Sequence, residues 1–479
     1  MRLPVVIRQI GSILIINAVF LFISCLISLF NGENFVFPLL YSGLIVLIFG
    51  IFPLIFVPKF THLSLLEGVV IIVFGWITTC IIGMLPYIMW GGEFTLINSW
   101  FESVSGYTTT GSTILHDIEA LPKGLLFWRS STHWIGGIGV IVFTLLILPH
   151  PVVSKLVMVN SEISGIARSN FRTRITHIVR ILAAVYFGLT VLETFFLWLA
   201  GMSIFDAVNH TFATVATGGF STKNSSIAYF DSVAIEIIIM VFMVLSGLHF
   251  GLIYATISGK RENLFRSEIV RVFLLVLFAG VALVTLKLWT DGYGDLWSSL
   301  RLASFQVLSV GTTTGFATTD TANWPVFTIL VLIYFTIQCA CAGSTSGGLK
   351  FDRVLLFFKN IMIQIKNMQH PRGVFQIRIN KHVVEESVVN NAMVYILLYL
   401  FIIFITTLVI SAMNVDLMTS FSASIATIGN VGPGFSQVSS MGNFGNLPSV
   451  AKFILSINML LGRLEIFSVI SLFFLKSWK

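Results

Sequence analysis

The chain is 479 residues long, 56% hydrophobic and only 10% charged, with a formal net charge of +7. A soluble domain carries about 25% charged residues, so a water-soluble enzyme is excluded as a description of the whole chain. The basic residues sit in short loops between apolar runs, where they set membrane orientation and meet anionic lipid, which argues against nucleic acid as a partner.

In chain order, apolar runs able to cross a hydrocarbon core of ~30 Å, about 20 residues each, fall near 5–30, 36–57, 65–90, 124–149, 177–200, 233–258, 269–289, 325–368 with an interruption, 389–413 and 449–475. An all-α polytopic membrane protein with ten spans is expected. The first run follows Arg2 and Arg8, lacks a small-residue cleavage site and is too long for a signal peptide, so it is expected to be retained. Of the 28 Lys and Arg, 21 lie at the amino terminus, near 59, in 155–180, 260–271 and 350–381, or at Lys476 and Lys479. Lys123, Arg129, Lys223, Lys287, Arg301 and Lys452 are assigned to the opposite side, with Glu93, Asp117, Glu119, Asp206, Asp231, Asp291, Asp295, Asp320 and Asp416. Both termini are therefore expected to be cytoplasmic. Cys25, Cys80, Cys339 and Cys341 lie in apolar runs and form no metal-ligand or disulfide spacing.

Between the spans, shorter segments repeat. The run SGYTTTGST covers Ser105 to Thr113, and its element Thr108-Thr109-Thr110-Gly111 recurs as Ala216-Thr217-Gly218-Gly219, Thr312-Thr313-Thr314-Gly315 and, more loosely, Gly429-Asn430-Val431-Gly432. The closing glycines are 108, 96 and 117 residues apart, which marks an internal repeat. Each copy follows a segment too short to cross, SWFESVSGY, FDAVNHTFATV, LRLASFQVLSV or LMTSFSASIAT, expected to be a re-entrant or buried helix. The chain thus divides into an N-terminal helix pair, 1–62, and four units of helix, short pore helix, filter loop and helix over 63–155, 156–262, 263–370 and 371–479.

One Ser/Thr/Gly run between spans would ordinarily be a plain outer loop, whereas four at matching positions need a shared use. Non-helical backbone at membrane depth costs several kcal/mol per unsatisfied group unless it is buried in protein or lines water. If the four units surround one axis, the carboxyl ends of the short helices favour a cation at the centre. The glycine runs can then present rings of carbonyls that replace a cation's hydration shell, as potassium-channel filters do.

The eighth run is interrupted. Its first half, from about 325 to 340, advances ~24 Å at 1.5 Å per residue, which reaches beneath the filter loops. There Gly343, Ser344, Thr345, Ser346, Gly347, Gly348 and Lys350 lie in the break AGSTSGGLK. Such backbone is tolerated along a water-filled cavity and is placed to gate it. Arg463 lies ~21 Å into the last span by helical rise, where a charge is costly and by default functional. It is expected to face the cavity, interact with the gating loop and set an electrostatic barrier, with snorkelling to the interface or pairing across a dimer as the alternatives. Glu465, two positions on, does not face it on a helix.

With these residues in view, the chain resembles the TrkH and TrkG potassium-translocating subunits of the bacterial Trk system, in the Trk/Ktr/HKT superfamily. The likeness rests on the four loop motifs, on CAGSTSGGLK from Cys341 to Lys350 and on NMLLGRLEIFS in the last span. It runs along essentially the whole chain, including the extra N-terminal pair. It implies a fourfold pseudosymmetric pore within one chain, a homodimer with one pore per protomer, and residence in the bacterial inner membrane. It also implies a potassium filter built by Thr109, Thr110, Gly111, Thr217, Gly218, Gly219, Thr313, Thr314, Gly315, Asn430, Val431 and Gly432. In the superfamily, serine at the first filter glycine goes with sodium permeation, and Gly111 stands there here. The fourth loop departs most from the threonine pattern. The polar stretch from about Lys359 to Asn390 would meet a ring of TrkA-like subunits, which bind NAD(H) and ATP/ADP through Rossmann-type domains.

No cofactor is expected on this chain. Gly343 to Gly348 opens like a nucleotide-binding loop, but Leu349 and Lys350 follow in place of Lys and Ser/Thr, and no strand precedes. A symporter coupling potassium to protons or sodium would share the filter and needs a titratable or second-ion site, for which Glu465 is a candidate. An enzyme is not expected, since Ser105 with His133 is a chance pairing of nucleophile and base. His133, Glu193 and His249 are read as packing or capping residues.

Overall fold

The computed structural model describes residues 2–58, 65–147, 171–259, 263–380 and 382–473. The basic loops near 59, over 155–170 and at 260–262, Lys381, Lys476 and Lys479 lie outside the described residues, as do the expected boundaries at 62–63, 155–156 and 262. What is described is mostly helical, and the only strands among the described residues are the two-residue pair Arg378–Ile379 and His382–Val383.

The first two helices, Leu3–Phe30 and Val36–Phe56, are uninterrupted apolar runs that turn at Gly32, whose φ of +66° a side chain would resist. They approach backbone to backbone. A Cβ on Gly11 would stand 2.7 Å from the Gly50 carbonyl oxygen, the small-residue contact that lets membrane helices pack closely. This pair braces the rest of the bundle, with the Tyr107 hydroxyl donating to Asn17 Oδ1 at 2.6 Å. Their outer faces leave Ile48, Phe49 and Phe52 exposed, as a lipid-facing surface requires.

Six helices among the described residues are long and apolar enough to cross a membrane, and two bent pairs bring the number to eight. The remaining two of the ten expected runs differ from simple spans for visible reasons. Lys123–Ile147 is a helix, but it turns Arg129, Ser130, Ser131, Thr132 and His133 into the protein interior. The eighth run forms Val326–Ile337 and Phe351–Gln369, with non-helical backbone between them.

Two breaks depart from the sequence reading. The sixth run bends by 105° between Val233–Gly247 and Phe250–Ile257. Leu248 is extended there, and the His249 ring accepts from the Gly251 amide to start the second helix afresh. The tenth run bends by 107° between Ser449–Leu464 and the helix that starts at Ile466, at Glu465, whose φ of 64° and ψ of 125° no helix can contain. Arg129, assigned above to the side opposite the basic loops, is 1% exposed inside its helix.

Candidate functional site

Four short helices, Leu96–Tyr107, Ile204–Val215, Leu296–Gly311 and Leu417–Ile428, carry the repeated motifs at their carboxyl ends. Each starts from a capping side chain that accepts from the amide three residues on: Thr95 from Asn98, Ser203 from Asp206, Asp295 from Ser298 and Asp416 from Thr419. All four stop the same way. Thr109, Thr217, Thr313 and Asn430 have φ of 52°, 55°, 61° and 51°, and two residues later Gly111, Gly219, Gly315 and Gly432 have φ of 82°, 82°, 82° and 99°. Left-handed residues alternating with ordinary ones turn successive carbonyls toward one side, and the second position is one where glycine avoids the Cβ penalty.

The four segments close on one another in order. A Cβ on Gly111 would stand 2.0 Å from the Gly218 carbonyl oxygen, one on Gly219 2.2 Å from that of Thr314, one on Gly315 2.2 Å from that of Val431, and one on Gly432 2.5 Å from that of Thr110. Each contact leads to the next segment and the last returns to the first, so the carbonyls before the closing glycines form a ring with no space for side chains between neighbours. The expected filter residues are thus brought together. Thr109, Thr110, Thr217, Thr313, Thr314, Asn430 and Val431 are all fully buried.

Against this ring lies the break in the eighth run. Thr345 Oγ1 donates to the Val215 carbonyl at 3.0 Å, and the Gly348 amide donates to the Gly462 carbonyl at 3.2 Å. A Cβ on Gly347 would stand 2.2 Å from Asn430 Oδ1. Arg463, 4% exposed and so not snorkelling, donates through Nη1 to the Thr345 carbonyl and through Nη2 to that of Gly136 at 3.0 Å. Ser344, Thr345, Ser346, Gly347 and Gly348 are buried in this contact. The ends of the segment are elsewhere: Gly343 is exposed and packs on the His249 ring, while Lys350 Nζ turns back to the Ser346 carbonyl. Glu465, the sequence candidate for a coupling site, is ion-paired with Arg353 on the helix Phe351–Gln369, its own side chain 41% exposed.

Sequence reasoning missed the ion pair behind the ring and gave His133 only as a packing or capping residue. Glu102, in the first short helix, and Arg129 form a buried ion pair at 2.7 Å, and Arg129 also donates to the Ser221 carbonyl. His133 Nδ1 donates to the Gly106 carbonyl at 2.6 Å while Nε2 accepts from the Phe220 amide at 3.2 Å, tying the first short helix to the second segment. The usable signal was a carboxylate and a guanidinium both at membrane depth, where each needs a partner.

The model of the TrkH cation transport proteins matches residues 43–479. The chain is 38% identical over 417 residues, 86% of each protein, to the Trk system potassium uptake protein TrkH of Escherichia coli K12. It is 36% identical over 412 residues to TrkG of the same organism, covering 85% of this chain and 84% of that one. The crystal structure of the potassium transporter TrkH from Vibrio parahaemolyticus matches with a TM-score of 0.88 at 30% identity, covering 98% of both chains.

Proposed function

The chain belongs to the TrkH family of cation transport proteins, and on that premise we propose that it takes up potassium through a selective pore in the bacterial inner membrane. The observation that carries this reading is the closed cycle of glycine-to-carbonyl contacts among four loops at the ends of four short helices. Carbonyl oxygens fixed in a ring replace the hydration shell of a weakly hydrated cation, and the helix carboxyl ends add partial negative charge. On this reading Thr109, Thr110, Gly111 and their counterparts in the other three loops hold potassium. The four units over 63–155, 156–262, 263–370 and 371–479, with the helix pair over 1–62, are the proposed architecture.

The segment from Gly343 to Lys350 is the gate in this proposal, and Arg463 is its latch. With the loop buried against Asn430 and Val215, the path beneath the ring is occupied by protein. Opening requires the Arg463–Thr345 and Thr345–Val215 bonds to part. Control falls to a TrkA-like cytoplasmic partner acting on the polar stretch that follows the gate, where Lys359 pairs with Glu268 and the Asn380 amide donates to the same carboxylate. A homodimer, cytoplasmic termini and nucleotides bound by the partner rather than by this chain complete the proposal.

Rubidium uptake into proteoliposomes loaded with potassium or sodium tests it, comparing the protein with Gly315→Ser. Uptake driven by internal potassium and not by sodium, with that discrimination lost in the variant, is the expected result. Equal discrimination in both proteins would end the filter reading.

A further inference from the structure

The fourth segment carries Asn430 where the other three carry threonine, and its surroundings give the substitution a purpose. Asn430 Nδ2 donates to the Met459 carbonyl and to Thr110 Oγ1, both at 2.9 Å. A main-chain carbonyl can only accept, so the Met459 bond fixes which end of the carboxamide is nitrogen. That leaves Oδ1 fully buried without a hydrogen-bond donor. It faces glycine backbone on two sides. A Cβ on Gly347 would stand 2.2 Å from it and one on Gly462 2.7 Å.

The orphan oxygen has company. Thr109 Oγ1 and Thr313 Oγ1, at the same left-handed position of their own segments, are also buried without partners, and the Thr217 hydroxyl donates to the Ala216 carbonyl, which leaves its oxygen lone pairs available. Leaving one buried acceptor unsatisfied costs about 1–3 kcal/mol, and oxygens unpartnered at one repeated register are free to ligate a cation there. Gly347 is not at positive φ, so its backbone would accept alanine, and the contact with Asn430 is the obstacle.

Resting on the filter reading above, we infer that Asn430 Oδ1 is a cation ligand at the inner end of the filter which the intramembrane loop covers at Gly347. With the loop seated, the inner ring offers Thr109, Thr217 and Thr313 oxygens and a blocked Asn430. Withdrawal of the loop exposes Oδ1 to the path and adds a fourth oxygen to that ring. Asparagine suits this position better than threonine, because one end of its side chain anchors the segment to the last long helix while the other remains free. The gate therefore controls the affinity of an ion site as well as the width of the path.

The test is a double-mutant cycle on the full chain in proteoliposomes, read as rubidium uptake against rubidium concentration. Asn430→Ala is expected to raise the half-saturating concentration about tenfold, the equivalent of ~1.4 kcal/mol of lost ligation. Gly347→Ala, which pushes the loop off the carboxamide, is expected to raise uptake in the native background and to change it less than twofold when combined with Asn430→Ala. Asn430→Thr, which restores an oxygen without the amide, is expected to keep the half-saturating concentration near the native value and serves if the alanine variant does not fold. An unchanged half-saturation in Asn430→Ala, or an equal effect of Gly347→Ala in both backgrounds, overturns the inference. If Gly315→Ser still abolishes discrimination in that case, the filter reading survives alone. If Gly315→Ser leaves discrimination intact, both fall.

Discussion

Arg463 and Thr345, 118 residues apart in sequence, are joined by a hydrogen bond from the guanidinium to the Thr345 carbonyl oxygen in a region closed to solvent. A hydrogen bond to a charged group contributes about 1.5–3 kcal/mol. The same guanidinium donates to the carbonyl of Gly136, next to the Trp134–Ile135 stretch, where Trp134 packs against both large apolar clusters. Both bonds stabilise the loop in the position it occupies here.

Replacing Arg463 by Gln is expected to raise basal rubidium uptake by roughly 10- to 100-fold, the range that ~1.5–3 kcal/mol of lost loop stabilisation gives. Uptake by unpartnered protein in proteoliposomes checks this. Unchanged or lower uptake, with the variant properly inserted, would mean that the arginine supports transport rather than holding the loop in place.

The ion pair between Glu102 and Arg129 has both side chains essentially excluded from solvent, at 0% and 1%. Removing one partner strands the other charge, at a cost of about 3–5 kcal/mol. Glu102→Gln and Arg129→Met are each expected to lower the thermal stability of the detergent-solubilised protein markedly. The double variant should lose less than the two single losses added together. Strict additivity of the melting shifts would show that the pair does not act as a unit.

How far the sequence reached follows from which features are local. The four loops that end at Gly111, Gly219, Gly315 and Gly432 were legible because glycine there is a local demand whose spacing recurs along the chain, whereas the left-handed turns at Thr109, Thr217, Thr313 and Asn430 were not read. The break after Ile337 announced itself through its glycines and hydroxyls. The break at Leu248 did not, because its neighbours are apolar and it depends on His249 packing under Gly343, which is distant in sequence. The burial of Arg129 was hidden for a similar reason: six residues from a helix start it reads as an interfacial charge, and only the fold brings Glu102 to it. Asn430 looked like a weakened threonine until the Met459 carbonyl showed which end of its amide is free.

The capping carboxylates at the amino-terminal ends of the third and fourth short helices set an acid limit. Asp295 is held below the ordinary carboxylate range first by its hydrogen bond with the Ser298 side chain and then by the Ser298 amide, and Asp416 likewise by Thr419. A carboxylate whose pKa is depressed by folding contributes stability that is present above its unfolded value, about 3.9, and that disappears as pH falls through the lower folded value. Thermal unfolding followed from about pH 6 to pH 3 should therefore show a decline that Asp416→Asn flattens, since asparagine caps a helix nearly as well without titrating. Asp416→Ala should be less stable throughout, by up to about 1 kcal/mol. A native decline that persists undiminished in the Asp295→Asn, Asp416→Asn double variant would assign the acid sensitivity to other carboxylates.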